Sequence, residues 1–203
     1  MRVDVDGPVR TYWRDRLHQH FSERYRGRAL VKFPEDLRTY QGIIEATQPQ
    51  IIIELGTYDG GSALWFADQL RVLCGGGRVI SVDYHACDLR DERISFIRGD
   101  LRDVVDQVTM MIIDERIMVV DDSAHTFDIT LSALRLYSSF VTKGCYFVVE
   151  DTIVDTDLSI WPDIKGAGKA VEAFLAENGR FVVRDHDAYG LTMHMGGWLE
   201  AIA

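Results

Sequence analysis

The chain has 203 residues, 47% of them hydrophobic, and a formal net charge of −10 from 22 Lys and Arg against 32 Asp and Glu. That length suits one domain with a sizeable core, and the acidic balance argues against nucleic acid, whose binders carry a basic stripe. No apolar run approaches the ~20 residues of a membrane span, and Met1 to Asp6 has no apolar stretch of the secretory kind. We therefore expect a cytoplasmic protein with no membrane partner.

In chain order, Val9 to Tyr25 reads as a half-polar helix, followed by Arg24-Tyr25-Arg26-Gly27-Arg28 as a solvated link. Pro34 sits where a first helical turn tolerates proline. Leu37, Tyr40, Ile43, Ile44 and Thr47 then recur at spacings of three and four, predicting a helix to about Gln48. Ile51 to Leu55 is a buried-strand run. After a loop at 56–61, Ser62 is placed to cap a helix carrying Leu64, Ala67, Leu70 and Leu73, which the glycines at 75–77 end. Strands follow at about 78–83 and 94–98, with a helix from near Leu101. Ile117 to Val120 is the next strand, Phe127 to Phe140 the next helix, and Cys145 to Val149 the next strand. A last helix covers about 167–178. Phe181-Val182-Val183 and Leu191-Thr192-Met193 then read as a hairpin across a turn at 185–190. Strands alternating with amphipathic segments predict an α/β fold with a mostly parallel, seven-stranded sheet that a C-terminal antiparallel hairpin closes.

The three cysteines, Cys74, Cys87 and Cys145, are widely spaced and form no CxxC, so we expect reduced thiols rather than a zinc or redox site. Ligands in open parallel sheets bind beyond the carboxyl ends of the strands. Seven acids fall there: Glu54, Asp83, Asp100, Asp121, Asp122, Glu150 and Asp151.

The first cluster is Glu54-Leu55-Gly56-Thr57-Tyr58-Asp59-Gly60-Gly61-Ser62. Its glycines let a ligand approach the backbone, and Asp83 at the end of the next strand can accept ribose hydroxyls. Glu54 and Asp59 would repel a pyrophosphate, which wants a helix N-terminus free of anions. They suit the ammonium and sulfonium of S-adenosylmethionine, and Asp100 after the third strand is placed for the adenine. The cofactor residues are thus expected among Glu54, Gly56, Thr57, Tyr58, Gly60, Ser62, Asp83, Asp100 and Asp122.

The second cluster is Asp121-Asp122-Ser123-Ala124-His125 with Glu150-Asp151. Carboxylates from adjacent strand ends can make a hard-oxygen site for Mg²⁺, where an acceptor hydroxyl would lose its proton more readily. His125 is placed as general base. His18, His20, His85, His186 and His194 have no such cluster beside them and read as surface or core. Trp161 and Trp198 could wall a pocket, while Trp13 and Trp65 read as helix packing.

These motifs resemble the cephalosporin hydroxylase family, which contains metal-dependent O-methyltransferases of antibiotic and sugar biosynthesis. The segments that carry the resemblance are Ile53 to Thr57 with Gly60 to Leu64, Asp122 to His125, Leu134 to Tyr137, Val148 to Thr152 and Gly196 to Leu199. The resemblance covers roughly residues 30–200. It implies a Rossmann-like class I S-adenosylmethionine methyltransferase fold, with Asp122, Glu150 and Asp151 as metal ligands and His125 as base. Glu54, Gly56 and Asp83 would hold the cofactor, and some relatives carry a basic residue at the position of Asp59. The implied reaction is Mg²⁺-dependent methylation of a hydroxyl on a small natural product or sugar. An amino-group acceptor such as an aminosugar stays open, and a hydroxylase or a catalytically silent nucleotide-binding protein are lesser alternatives. Residues 1–203 read as one domain with a helical extension over 1–30. The acceptor pocket is expected from that extension, the loops at 84–93 and 152–165, or a neighbouring subunit. We expect a homo-oligomer in which Tyr12, Trp13 and Leu17 pack on a second copy.

Overall fold

A computed structural model of the chain describes residues 15–156, 159–184 and 192–203. Helical turns at 15–22 lead into a small hairpin of β1 (Arg24–Tyr25) and β2 (Arg28–Ala29). The helix expected to continue to Tyr25 therefore stops earlier. The basic segment is not a loose link: Tyr25 and Arg26 donate to Asp68, at 2.8 and 3.0 Å, and pin the hairpin to the second long helix.

The remaining elements are α1 (Pro34–Thr47), β3 (Ile51–Leu55), α2 (Gly61–Cys74), β4 (Arg78–Asp83), β5 (Ile94–Arg98), α3 (Val105–Thr109), β6 (Ile117–Asp121), α4 (Phe127–Tyr137), β7 (Tyr146–Val149), α5 (Ala167–Glu177), β8 (Phe181–Val183) and β9 (Trp198–Ala201). Pro34 opens α1 as its spacing predicts. Ser62 does not cap α2: that helix begins at Gly61, after Gly60 in the left-handed region.

The seven-stranded sheet has the order β5-β4-β3-β6-β7-β9-β8. Strands β3 to β7 are parallel, and β9 runs antiparallel to both β7 and β8. The expected C-terminal antiparallel pair exists, but its second strand is Trp198–Ala201 rather than 191–193. Thr192 and Met193 lie outside any strand, and Leu191 with the proposed turn falls outside the described residues. Gly197 explains the shift. A Cβ there would sit 2.1 Å from the Val149 carbonyl oxygen, so only glycine lets the chain close onto β7 at that point.

Alternation along the strands sorts the core into two layers. Ile51, Ile53, Leu55, Val119, Phe147 and Val149 face α4 and α5. Ile52, Met118, Val120, Tyr146 and Val148 face α1 and α2. The chain reverses its direction of winding between β3 and β6, and the crevice at that switch point is where open α/β sheets bind ligands. Among the described residues, no helix is long and apolar enough to cross a membrane.

Candidate functional site

At the switch point, Gly56 comes directly against Asp122. Its φ is +101°, and a Cβ would stand 2.0 Å from the Asp122 carbonyl oxygen. The two loops therefore meet backbone to backbone, with the Asp122 N–H donating to Leu55 O at 2.8 Å. Beside this contact opens a cavity of about 300 Å³, lined by Gly56, Asp83, Asp100 and Ser123 and floored by Val82, Leu101 and Ile129.

Asp83, at the end of β4, accepts the Thr57 and Tyr58 N–H groups through Oδ2, at 2.7 and 2.9 Å, and the His85 N–H through Oδ1 at 2.7 Å. Burial pushes its pKa up, but those three backbone donors outweigh it and hold the carboxyl below its ordinary value. Asp100 is fixed by Arg102 and brought to about 2 by that pairing. Gly56, Asp83 and Asp100 thus share one cavity, as their strand-end positions predict. Thr57 lines an adjoining groove, Tyr58 projects into solvent at 74% exposure, and Gly60 packs against Cys87 and Leu89. Asp59 turns away: it accepts the Ala29 N–H at 2.7 Å and pairs with Arg28 at 3.1 Å, so its charge serves the hairpin.

Glu54 lies beneath the loop. The two-residue period aims it at the α1/α2 layer opposite Ser81, its registered neighbour on β4, which donates to Oε2 at 2.6 Å. Ser62 contacts the same carboxyl. Oε1 is buried without a hydrogen-bond partner. Burial pushes the Glu54 pKa up to about 7 despite nearby Lys32 and the two serines.

On the other side of Gly56 the acids after β6 and β7 converge. His125 Nε2 stands 3.6 Å from Asp122 Oδ1 and 3.7 Å from Asp151 Oδ2. These three residues offer ligand atoms all within 4.8 Å of one another, the spacing a cation needs. His125 and Asp151 both have left-handed backbones, at φ +54° and +53°, a conformation that persists only where surroundings impose it. Asp121 points to the opposite layer. Burial lifts it to about 6, although Ser123 bonds to it at 2.6 Å.

Glu150 stands behind the trio. The same alternation that seats Val148 on the α1 layer seats Glu150 there, where its Oε1 accepts Lys32 Nζ and Tyr40 Oη, both at 2.6 Å. Lys32 Nζ also donates to Asp122 Oδ2 at 2.9 Å. Of the three expected ligands, then, Asp122 and Asp151 face His125 directly, while Glu150 joins through Oε2 on the far side of Asp151, near His194. Burial disfavours all these charges. The Lys32 ammonium, bracketed by Asp122, Glu150 and Glu54, is nonetheless held above its ordinary range. Glu150, which takes most of that ammonium and the Tyr40 hydroxyl, is held below its own. Asp122 is forced up by burial and by facing Glu150.

Reading the sequence missed Lys32, Tyr40, Asp36 and His194. One signal was available: Lys32 is a lone charge inside Leu30-Val31-Lys32-Phe33-Pro34. Trp198 is buried between Tyr40 and His194, not on a pocket wall. Leu17, expected against a second copy, is buried in this chain beside Phe33, Ile153 and Met193; Tyr12 and Trp13 lie outside the described residues. Trp161 packs against that same cluster, edge-on to His20 and Phe21 at 6.3 and 6.0 Å.

Comparison with known proteins adds the following. The model of the family described as "Rhamnosyl O-methyltransferase/CmcI" matches residues 18–202. The rhamnosyl O-methyltransferase of Mycobacterium tuberculosis (strain ATCC 25618 / H37Rv) is 29% identical over 163 residues, covering 74% of this chain and 65% of that protein. The chain thus spans just under two thirds of the length of that relative. Among solved structures, a Mg–SAM form of CmcI superposes with a TM-score of 0.69 at 23% identity, covering 90% of this chain and 78% of that one. A TDP-rhamnose 3'-O-methyltransferase of calicheamicin biosynthesis, solved in its apo form, gives 0.61 at 16% identity, covering 98% and 96%. With the strand order, these likenesses identify the class I S-adenosylmethionine methyltransferase fold that the motifs imply.

Proposed function

Because the chain belongs to the rhamnosyl O-methyltransferase/CmcI family, we propose that it transfers the methyl group of S-adenosylmethionine to a hydroxyl of a sugar or another small natural product, with Mg²⁺ at its acidic cluster. One observation carries this reading. Ser123 and Ala124 wall the cavity, and the residues on either side of them, Asp122 and His125, belong to the ligand cluster. A cofactor and an acceptor held in these two places would meet over four consecutive residues.

The residues fit both groups. The cavity is of the size small-molecule sites have, and Asp83 keeps lone pairs for ribose hydroxyls beyond its three backbone donors. Glu54 Oε1, buried and unpartnered, is an acceptor that a ligand ammonium would satisfy. Asp122, Asp151 and Glu150 Oε2 supply the hard oxygens Mg²⁺ prefers. When bound, the cofactor supplies a methyl group already activated on a sulfonium, and the ion supplies Lewis acidity at the acceptor oxygen.

The chain's own residues do the rest. The loops after β3 and β6 hold the two reactants in line, and such alignment is worth up to about 7–11 kcal/mol. His125 takes the hydroxyl proton on Nε2, which stands 3.6 and 3.7 Å from Asp122 and Asp151. On this reading residues 1–203 act as one catalytic domain in the cytoplasm. Phe21, 43% exposed beside Trp161, is the kind of residue a second copy would cover in a homo-oligomer. Light scattering that reports a monomer at every working concentration would remove that last element.

Methyl transfer to a TDP-rhamnose or rhamnosyl acceptor, followed with labelled cofactor, tests the reaction. Activity should vanish in EDTA and return with Mg²⁺. His125→Ala should bind S-adenosylhomocysteine normally yet turn over about 10²–10⁴-fold more slowly. Full turnover in chelator, or in the His125→Ala variant, would overturn the mechanism.

A further inference from the structure

His194 is absent from the mechanism above, yet it is buried at 2% exposure between Tyr40 and Trp198, with ring centroids at 6.2 and 5.2 Å. Its Nδ1 accepts the backbone N–H of Asp151 at 2.9 Å. A nitrogen that accepts carries a lone pair, so in the neutral ring the proton is on Nε2. That second nitrogen stands 3.7 Å from both Glu150 Oε2 and Asp36 Oδ2 and has no hydrogen-bond partner. The segment carrying the ring is itself tied down. Asp36, fully buried, accepts the Thr192 hydroxyl at 2.6 Å and the Met193 N–H at 3.0 Å, and Thr192 Oγ1 accepts the His194 N–H. The result is a bracket from α1 to Asp151, the second residue after β7.

That residue needs a bracket. Asp151 is left-handed at φ +53°, a region that the Cβ of an L-residue crowds. Main-chain bonds hold both sides of its N–H: Glu150 N–H goes to Asp121 O, and Asp151 O accepts Val154 N–H. The Asp151 N–H goes to His194 alone.

We propose that His194 is a positioning residue of the acidic cluster: by accepting the Asp151 N–H it holds Asp151 in the left-handed conformation that presents its carboxylate to Asp122 and His125. The inference rests on the function proposed above and adds to it a side chain that touches neither acceptor nor ion. Glu150, Asp151 and His194 are close enough to share an ion by themselves. The Nδ1 lone pair is already engaged, however, and Nε2 carries the proton, which leaves the neutral ring no free donor atom for a metal.

Two isosteres separate the possibilities. His194→Asn keeps an acceptor oxygen near the Nδ1 position. His194→Gln moves the polar group to the Nε2 position. Mn²⁺ titration by electron paramagnetic resonance should find the Asn variant within about threefold of wild type and the Gln variant weakened at least about tenfold, the usual scale when a residue supporting a metal ligand is lost. S-adenosylhomocysteine affinity should be unchanged in both, which establishes that the fold is intact. If the Gln variant fails to fold, His194→Ser, which has no acceptor at that distance, replaces it. Equal affinities in the two isosteres would overturn the proposal. The reverse order would too, because it would make His194 a ligand through Nε2. Wild-type protein that takes up no Mn²⁺ would instead overturn the metal reading. Amide hydrogen exchange at Asp151 then still decides the positioning role: slow in wild type and His194→Asn and faster in His194→Gln if the proposal holds, equal in all three if it does not.

Discussion

On the β4 side of Gly56, each acid is satisfied by the loop it stands in or the one next to it. Asp83 binds the main chain of Thr57, Tyr58 and His85, and Asp100 binds Arg102 two residues away. On the β7 side the partners come from across the chain. Lys32 reaches Asp122 over 90 residues and Glu150 over 118. Tyr40 reaches Glu150 over 110, and His194 reaches Asp151 over 43. The difference follows from Glu150, which is 2% exposed while the other acids keep contact with solvent. A carboxylate that keeps contact with solvent needs only a few donors, which a turn can supply. Buried Glu150 needs a counter-charge, which Lys32 brings from the segment before α1. The first half of the site can therefore lose a residue with local consequences, whereas the second is coupled to the packing of α1 against the sheet.

The largest test of that contrast is Lys32→Met. The substitution keeps the buried stem and removes the charge, leaving Asp122 and Glu150 facing each other uncompensated. Breaking a buried pair by removing one partner costs about 3–5 kcal/mol. Urea unfolding at neutral pH without added metal should report a loss of that order. Saturating Mg²⁺ should then raise the stability of Lys32→Met more than that of wild type, because an ion at the cluster replaces part of the missing charge. An equal or smaller metal response in the variant would break the contrast, since it would mean that the ammonium and the ion do not share the same carboxylates. Asp83→Asn, on the locally satisfied side, is the control and should leave the metal response unaltered.

What could be read in the sequence follows the same division. Strand ends are visible as apolar runs, and the acids that follow them are visible as exceptions to those runs. The α/β sheet, the glycine loop, Asp83 and the Asp122–His125 and Glu150–Asp151 pairs were therefore legible. The sheet's last strand was not. Leu191-Thr192-Met193 and Trp198 to Ala201 are both short and apolar, and only the close approach of Gly197 to the Val149 carbonyl oxygen decides between them. Lys32, Tyr40 and His194 were hidden for a different reason. Each lies on an element with its own local logic, before a helix, on a helix face, and before a strand, and their meeting depends on how α1 and the C-terminal segment pack. Alternation alone could have gone one step further. Glu150 and Asp151 are consecutive, so a strand running into them sends them to opposite layers. Glu150 accordingly went to the α1 layer with Tyr40, and a left-handed residue was needed to bring Asp151 to the cluster.

A smaller effect sharpens the comparison where the two halves touch. Glu54 belongs by sequence to the glycine loop but is buried like Glu150, within reach of the Lys32 charge. Burial raises its pKa from 4.5 to about 7, so between these values the folded protein holds a proton that the unfolded chain releases. The stability this group contributes is complete below pH 4.5 and is lost as the pH rises through 7. The full shift corresponds to about 3 kcal/mol. Glu54→Gln, neutral at every pH, should match wild type near pH 4 and exceed it by up to that amount at pH 8, read from urea midpoints in the absence of ligand. S-adenosylhomocysteine should shrink the gap at pH 8, because its ammonium pairs with the ionised carboxylate but not with the amide. Parallel pH profiles for the two proteins would mean that Glu54 stays ionised through Lys32 alone. The glycine loop would then already be wired to the distant counter-charge of the β7 side, with no vacancy for a cationic ligand at Oε1.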